Sequence, residues 1–85
     1  MPVVLREGGL RYFFFSNEGA PREAPHVHVK GGGRDAKIWV EPEVLIAESY
    51  GFNSRDLARI VAVVAENRDL ILRAWHEHFG NRGPF

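Results

Sequence analysis

Two alternating segments on either side of three consecutive glycines constrain this chain more than any other feature. His26-Val27-His28-Val29-Lys30 sets valines at alternate positions, and Asp35-Ala36-Lys37-Ile38-Trp39-Val40 resumes the alternation after Gly31-Gly32-Gly33-Arg34. Alternate side chains of an extended chain point to opposite faces, so each segment reads as a half-buried strand and the glycines as a turn. The resulting hairpin has a core face of Val27, Val29, Ala36, Ile38 and Val40. Its opposite face carries His26, His28, Lys30, Asp35, Lys37 and Trp39, and that polar face is where chemistry is expected.

A second hairpin precedes it. Val3-Val4-Leu5-Arg6 is rich in strand formers, Gly8-Gly9 supplies a turn, and Leu10-Arg11-Tyr12-Phe13-Phe14-Phe15 is an aromatic run of the kind strands favour. Ser16 to Pro25 has the composition of a loop, with two prolines and a glycine. Downstream, Pro42 suits a helix start, so Glu43 to Tyr50 reads as a short helix or turn halted by Gly51. Asn53 is a good N-cap, with Asp56 three residues on, and Gly80 suits the far end of a helix. Between them Leu57, Ile60, Val61, Val64, Ile71, Leu72, Trp75 and Phe79 recur at helical spacing and predict one long helix, roughly 40 Å at about 1.5 Å per residue. The expected architecture is α+β: a four-stranded, mainly antiparallel sheet of two hairpins, packed on a short helix and a long C-terminal helix. Residues 1–80 form a single domain in this reading, and 81–85 a frayed tail.

Size supports one core, since 85 residues leave no room for two. The chain has no cysteine, which removes disulfides and thiolate metal sites. The start, Met1-Pro2-Val3-Val4-Leu5-Arg6, does not read as a signal peptide, and no apolar run approaches the 18 or so residues of a membrane span. A cytoplasmic protein that does not enter the membrane is therefore expected. Lys plus Arg and Asp plus Glu are 11 each. That balance disfavours a protein that grips nucleic acid with its whole surface, while leaving room for a local basic patch.

His26 and His28 are the strongest chemical signal. Two residues apart on a strand, their Cβ atoms lie roughly 6.5–7 Å apart on one side. One imidazole could serve as general base and the other as general acid, with Lys37 or Arg22 stabilising developing negative charge. Glu18 could orient His28. A zinc site would need a third ligand such as Glu18, Glu23, Glu41 or His76. The same pair could also be plain polar residues on a solvated sheet face. No metal and no cofactor is assigned. Trp39 is an exposed aromatic suited to stacking or a lid over the hairpin, and Arg11 and Asn17 join it as candidate binding residues. His76 and His78 cannot share a ligand, because positions i and i+2 on a helix diverge. Gly31-Gly32-Gly33 opens no helix and is not a phosphate loop.

Taken together, Arg11-Tyr12-Phe13-Phe14-Phe15-Ser16-Asn17-Glu18-Gly19, Pro25-His26-Val27-His28-Val29, Ala36-Lys37-Ile38-Trp39-Val40, Gly51-Phe52-Asn53 and Trp75-His76-Glu77-His78-Phe79 resemble a family of small bacterial proteins built on a domain of unknown function. The resemblance covers nearly the whole chain. It implies that Asn17, Glu18, Gly19, His26, His28, Val29, Ala36, Lys37 and Trp39 are the favoured positions. It also implies a setting beside another small domain, as in toxin–antitoxin modules, and transfers no catalytic role.

Three functions follow as expectations. The first is a toxin-like component of a two-gene module, acting on RNA or translation through the His/Lys/Trp face. The second is a non-catalytic module that docks a protein partner, an antitoxin-like or neighbouring gene product. The third is a metal-dependent enzyme using the His-x-His pair. Open edges on a short sheet would also allow a homodimer.

Overall fold

The computed structural model describes residues 3–15 and 23–80. Five strands come first: β1 (Val3–Glu7), β2 (Leu10–Phe13), β3 (His26–Gly31), β4 (Arg34–Trp39) and β5 (Leu45–Tyr50). Two helices follow, α1 (Ser54–Glu66) and α2 (Arg68–Phe79). The strands lie in sequence order, β1-β2-β3-β4-β5, each antiparallel to its neighbour.

Both glycine turns form the expected hairpins. Gly8 and Gly9 have φ of 57° and 79°, and Gly32 and Gly33 have 59° and 76°. Two consecutive left-handed residues make the tight turn whose twist matches that of the flanking strands, and glycine takes that conformation without strain. Gly31 is required for a different reason: a Cβ there would sit 2.8 Å from the carbonyl oxygen of Gly9. The two turns therefore lie against each other.

The core occupies one face of the sheet. Tyr12, Phe14, Val27, Val29, Ala36, Ile38 and Val40 meet Ile60 and Val64 of α1 and Ile71 and Trp75 of α2, all buried. The valine parity of the third and fourth strands thus lies as the alternation requires. Asn53 caps α1, its side-chain oxygen accepting from the Asp56 backbone N–H at 2.8 Å.

Three expectations are corrected. The sheet has five strands rather than four, because Leu45–Tyr50 pairs with β4 instead of forming a short helix or turn. The segment is an edge strand whose six residues are all exposed, so it shows none of the alternation that a buried face imposes. A bulge between Lys37 and Ile38, which face Glu48 and Ile46, breaks its parity further. The short helix is therefore absent, and the long helix is two. Asn67 separates them, with φ −108° and ψ 19°; its amide Nδ2 donates to the Val63 carbonyl at 2.8 Å. Arg68 beside it donates Nε–H to the carbonyl of Val40 at 3.0 Å, anchoring the start of α2 to the end of β4. A side-chain amide competing for helical carbonyls favours such a break. A straight rod of roughly 40 Å would overrun a body whose extents are 35 × 22 × 19 Å. No helix among the described residues is long and apolar enough to cross a membrane.

Candidate functional site

The helices cover one face of the sheet. The other, outer face carries the polar parity of β3 and β4, and the pairing arranges it in rows across the strands. One row runs Arg6, Arg11, Lys30, Asp35, Tyr50 through all five strands. The next holds Phe13, His28, Lys37 and Glu48, and a third holds His26, Trp39 and Leu45. Residues opposite one another in a pair point to the same side, so these rows are side-chain neighbourhoods.

The end of the face built by the second and third rows is closed. Phe13 is 2 % exposed and His26 is 0 % exposed. The rings interlock: Phe15 lies 4.4 Å from His28, Phe13 5.8 Å from His28, and His26 5.3 Å from His28 in an edge-on arrangement. His26 reaches past the sheet to Trp75 of α2, 5.1 Å between ring centroids, and packs edge-on to Trp39 at 5.4 Å. Its Nδ1 donates to the carbonyl of Ala24 at 2.9 Å, since a carbonyl oxygen can only accept. The two imidazoles share a parity along β3, yet their environments differ, and the expectation of two solvated rings on one face is corrected for His26. His26 is enclosed between sheet and helix, and His28 is half-buried.

Lys37 joins this end from β4, directly opposite His28. Its Nζ donates to the Glu23 carboxylate at 3.0 Å and sits 4.6 Å above the Trp39 ring. The Lys37 hydrogen bond holds the Glu23 carboxyl below its ordinary range, and the Lys37 charge with those of the nearby histidines acts in the same direction. Partial burial opposes the shift.

The first row is open. Arg6, Arg11, Lys30 and Asp35 are exposed, and Tyr50 is 70 % exposed. Among the described residues, Arg6, Arg11 and Lys30 make no ion pair. Arg34, nearby on the turn, is already engaged. It contacts the Asp56 carboxylate at 3.2 Å, donates to the Gly31 carbonyl at 3.2 Å, and lies 5.0 Å over the Phe52 ring. A shallow cavity of about 280 Å³ lies between Arg11, Lys30, Arg34, Asp35 and the Gly31–Gly33 turn. A smaller one of about 80 Å³ opens on the helix side, between Tyr12, Phe52 and the Arg34–Asp56 pair. Burial pushes the Tyr12 hydroxyl pKa up there, and Glu7 adds to the shift. The charges of Arg34 and Asp56 satisfy each other at that cavity, whereas Arg11 and Lys30 at the outer one make no ion pair among the described residues.

Of the residues expected to act, His26, His28, Lys37 and Trp39 are brought together, and Arg11 lies in the open row. Asn17, Glu18 and Arg22 fall outside the described residues. Glu23, considered from sequence only as a metal ligand, is instead the partner of Lys37. Among the described residues no three histidine, aspartate or glutamate side chains are arranged to hold a metal ion. Sequence reasoning missed Arg6. The two-residue Gly8-Gly9 turn could have found it, because a turn of that length fixes Glu7 opposite Leu10 and hence Arg6 opposite Arg11.

No curated protein and no solved structure matches the chain significantly. A family model does match residues 9–76, and it spans β2 to β5, α1 and most of α2. The chain belongs to the DUF4160 family, a domain of unknown function.

Proposed function

We propose that this domain acts on RNA, as the toxin-like component of a two-gene module, through the outer face of its sheet. The observation that carries the reading is the direct opposition of His28 and Lys37 on that face, one register step from a row of exposed cations. RNA contains its own nucleophile, the 2′-hydroxyl, so cleavage needs proton transfer and charge stabilisation only. His28 accepts the 2′-hydroxyl proton while the 2′-oxygen attacks the adjacent phosphorus. Lys37 stabilises the charge that develops on the phosphoryl oxygens; one of its three N–H donors is used by Glu23. The P–O5′ bond breaks, a cyclic phosphate forms, and the 5′-oxygen takes a proton from water. His26, enclosed and edge-on to His28, holds that ring in place rather than meeting the substrate. Glu18 and Arg22 remain supporting groups in this reading, and Trp39, Arg11 and Asn17 binding groups.

Induced expression of the wild-type protein is expected to arrest growth, and His28→Ala to relieve the arrest at equal protein level. Harmless wild-type expression would remove the proposal.

A second reading, a protein-docking module, is favoured by β5. This edge strand exposes Leu45, Ile46 and Tyr50 together with its unpaired backbone edge, which suits the addition of a partner strand. Capture of the neighbouring gene product, unchanged in the double variant His26→Ala and His28→Ala, would favour docking over catalysis.

A further inference from the structure

The open row poses a physical problem that the aromatic end does not. Arg11 faces Arg6 on one side and Lys30 on the other, so three cations stand on three adjacent strands of one face. Neighbouring strands are about 4.8 Å apart, so the row of cations spans roughly 10 Å. Like charges directly opposite each other destabilise a sheet. All three are exposed and none has an ion-pair partner among the described residues. Asp35 is the single acid in the row, opposite Lys30 on the far side from the arginines. Beyond it stands Tyr50, 70 % exposed. The arrangement lowers its free energy when polyvalent anions lie along the row.

We infer that the Arg6–Arg11–Lys30 row holds consecutive backbone phosphates of a single-stranded RNA. This inference rests on RNA being the target, and it adds the form of the RNA and the residues that grip it. A nucleic-acid chain is the polyanion whose charges repeat at short intervals, as the cations do. Asp35 ends the phosphate track by repelling further phosphate, and Tyr50 offers a ring on which a base stacks. Stacking on an exposed ring needs an unpaired base, which a duplex does not present. Lys30 is two residues from His28 along β3, about 6.8 Å, so a phosphate on the row places the next stretch of the strand at His28 and Lys37.

The test measures binding of a short labelled oligouridine and of an RNA hairpin to the full chain across a range of salt concentrations. Wild type and the triple variant Arg6→Gln, Arg11→Gln, Lys30→Gln are compared, together with His28→Ala. Each single-strand phosphate neutralised contributes roughly 0.7 to the slope of log affinity against log salt, so losing three flattens the slope by about 2. The triple variant is expected to show that flattening and at least tenfold weaker binding at low salt, with circular dichroism unchanged. Asp35→Asn is expected to tighten binding, and the hairpin to bind more weakly than the oligouridine. His28→Ala is expected to keep the full slope while losing cleavage. An unchanged slope in the triple variant, or no binding of oligouridine by wild type, overturns the inference. Wild type that cleaves RNA with the triple variant binding normally overturns the row alone and leaves the RNA activity standing. Full binding by wild type without cleavage or growth arrest supports the row and removes the enzymatic reading.

Discussion

The two ends of the outer sheet face are built from the same parity of the same strands, yet they resolve their side chains in opposite ways. At one end Phe13, Phe15, His26, His28 and Trp39 pack together, and Lys37 has both a carboxylate and an aromatic ring to rest on. At the other, Arg6, Arg11 and Lys30 stand exposed in a row without ion-pair partners among the described residues. The first arrangement is what stability alone would select. The second stores unfavourable charge on an open surface, as binding sites do when their ligand is needed to satisfy them. Substitutions at the two ends should therefore move stability in opposite directions.

The largest effect belongs to the closed end. Phe13 is 2 % exposed although it lies on the face opposite the helices. Phe13→Ala is expected to cost about 3–5 kcal/mol, as a buried aromatic truncation does, read as a lowered midpoint in urea unfolding. A cost below 1 kcal/mol would mean that this end is no second core, and the contrast would collapse. His26→Ala comes next. It loses ring contacts with Trp39 and Trp75 and the hydrogen bond to Ala24, which together suggest about 2–3 kcal/mol. His28→Ala should cost less than His26→Ala, because His28 is only half-buried. The reverse order would place the structural weight on the wrong imidazole.

At the open end the sign changes. Arg11→Gln relieves two cross-strand repulsions and is expected to raise stability by about 0.5 kcal/mol at low ionic strength. The gain should fade in molar salt, where the Debye length is about 3 Å. A loss of stability instead would show that the arginine has a structural role, and the row would no longer read as an unsatisfied site.

The sequence made part of this contrast legible. Strand alternation located the face itself, because Val27, Val29, Ala36, Ile38 and Val40 left His26, His28, Lys30, Lys37 and Trp39 only one side to occupy. Parity does not reveal burial, however. His26 is enclosed because Trp75, almost fifty residues away in sequence, reaches it from α2, and no local pattern encodes that meeting. The edge strand was hidden for a related reason. Leu45-Ile46-Ala47-Glu48-Ser49-Tyr50 has no buried side to impose a period, and only backbone pairing with β4 makes it extended. The stripe of α1 and α2 is readable, and the break coincides with the gap in it between Val64 and Ile71, where Asn67 and Arg68 sit. Register across a two-residue turn was also readable, and it would have completed the cationic row.

The smallest effect sharpens the comparison at its boundary, where Lys37 is, among the described residues, the one outer-face cation with a carboxylate partner. The Lys37 hydrogen bond lowers the Glu23 carboxyl pKa in the folded protein below its unfolded value of about 4.3. A carboxyl depressed on folding binds fewer protons in the native state. Its stabilising contribution is therefore fully present above the unfolded value and disappears as pH falls through the lowered folded one. The Glu23 side chain is 40 % exposed, so solvent screens the pair and the contribution is small. Thermal midpoints of wild type and Glu23→Gln, followed from pH 6 downward, should differ slightly at the top of the range and converge as pH falls from the unfolded value through the lowered folded one. Adding Lys37→Gln to Glu23→Gln should then cost little more, because the interaction is already gone. Curves that stay parallel throughout acid titration would mean that Lys37 gains nothing from Glu23. The closed end would then owe its stability to its rings alone, and Lys37 would stand as unsatisfied as the cations of the open row.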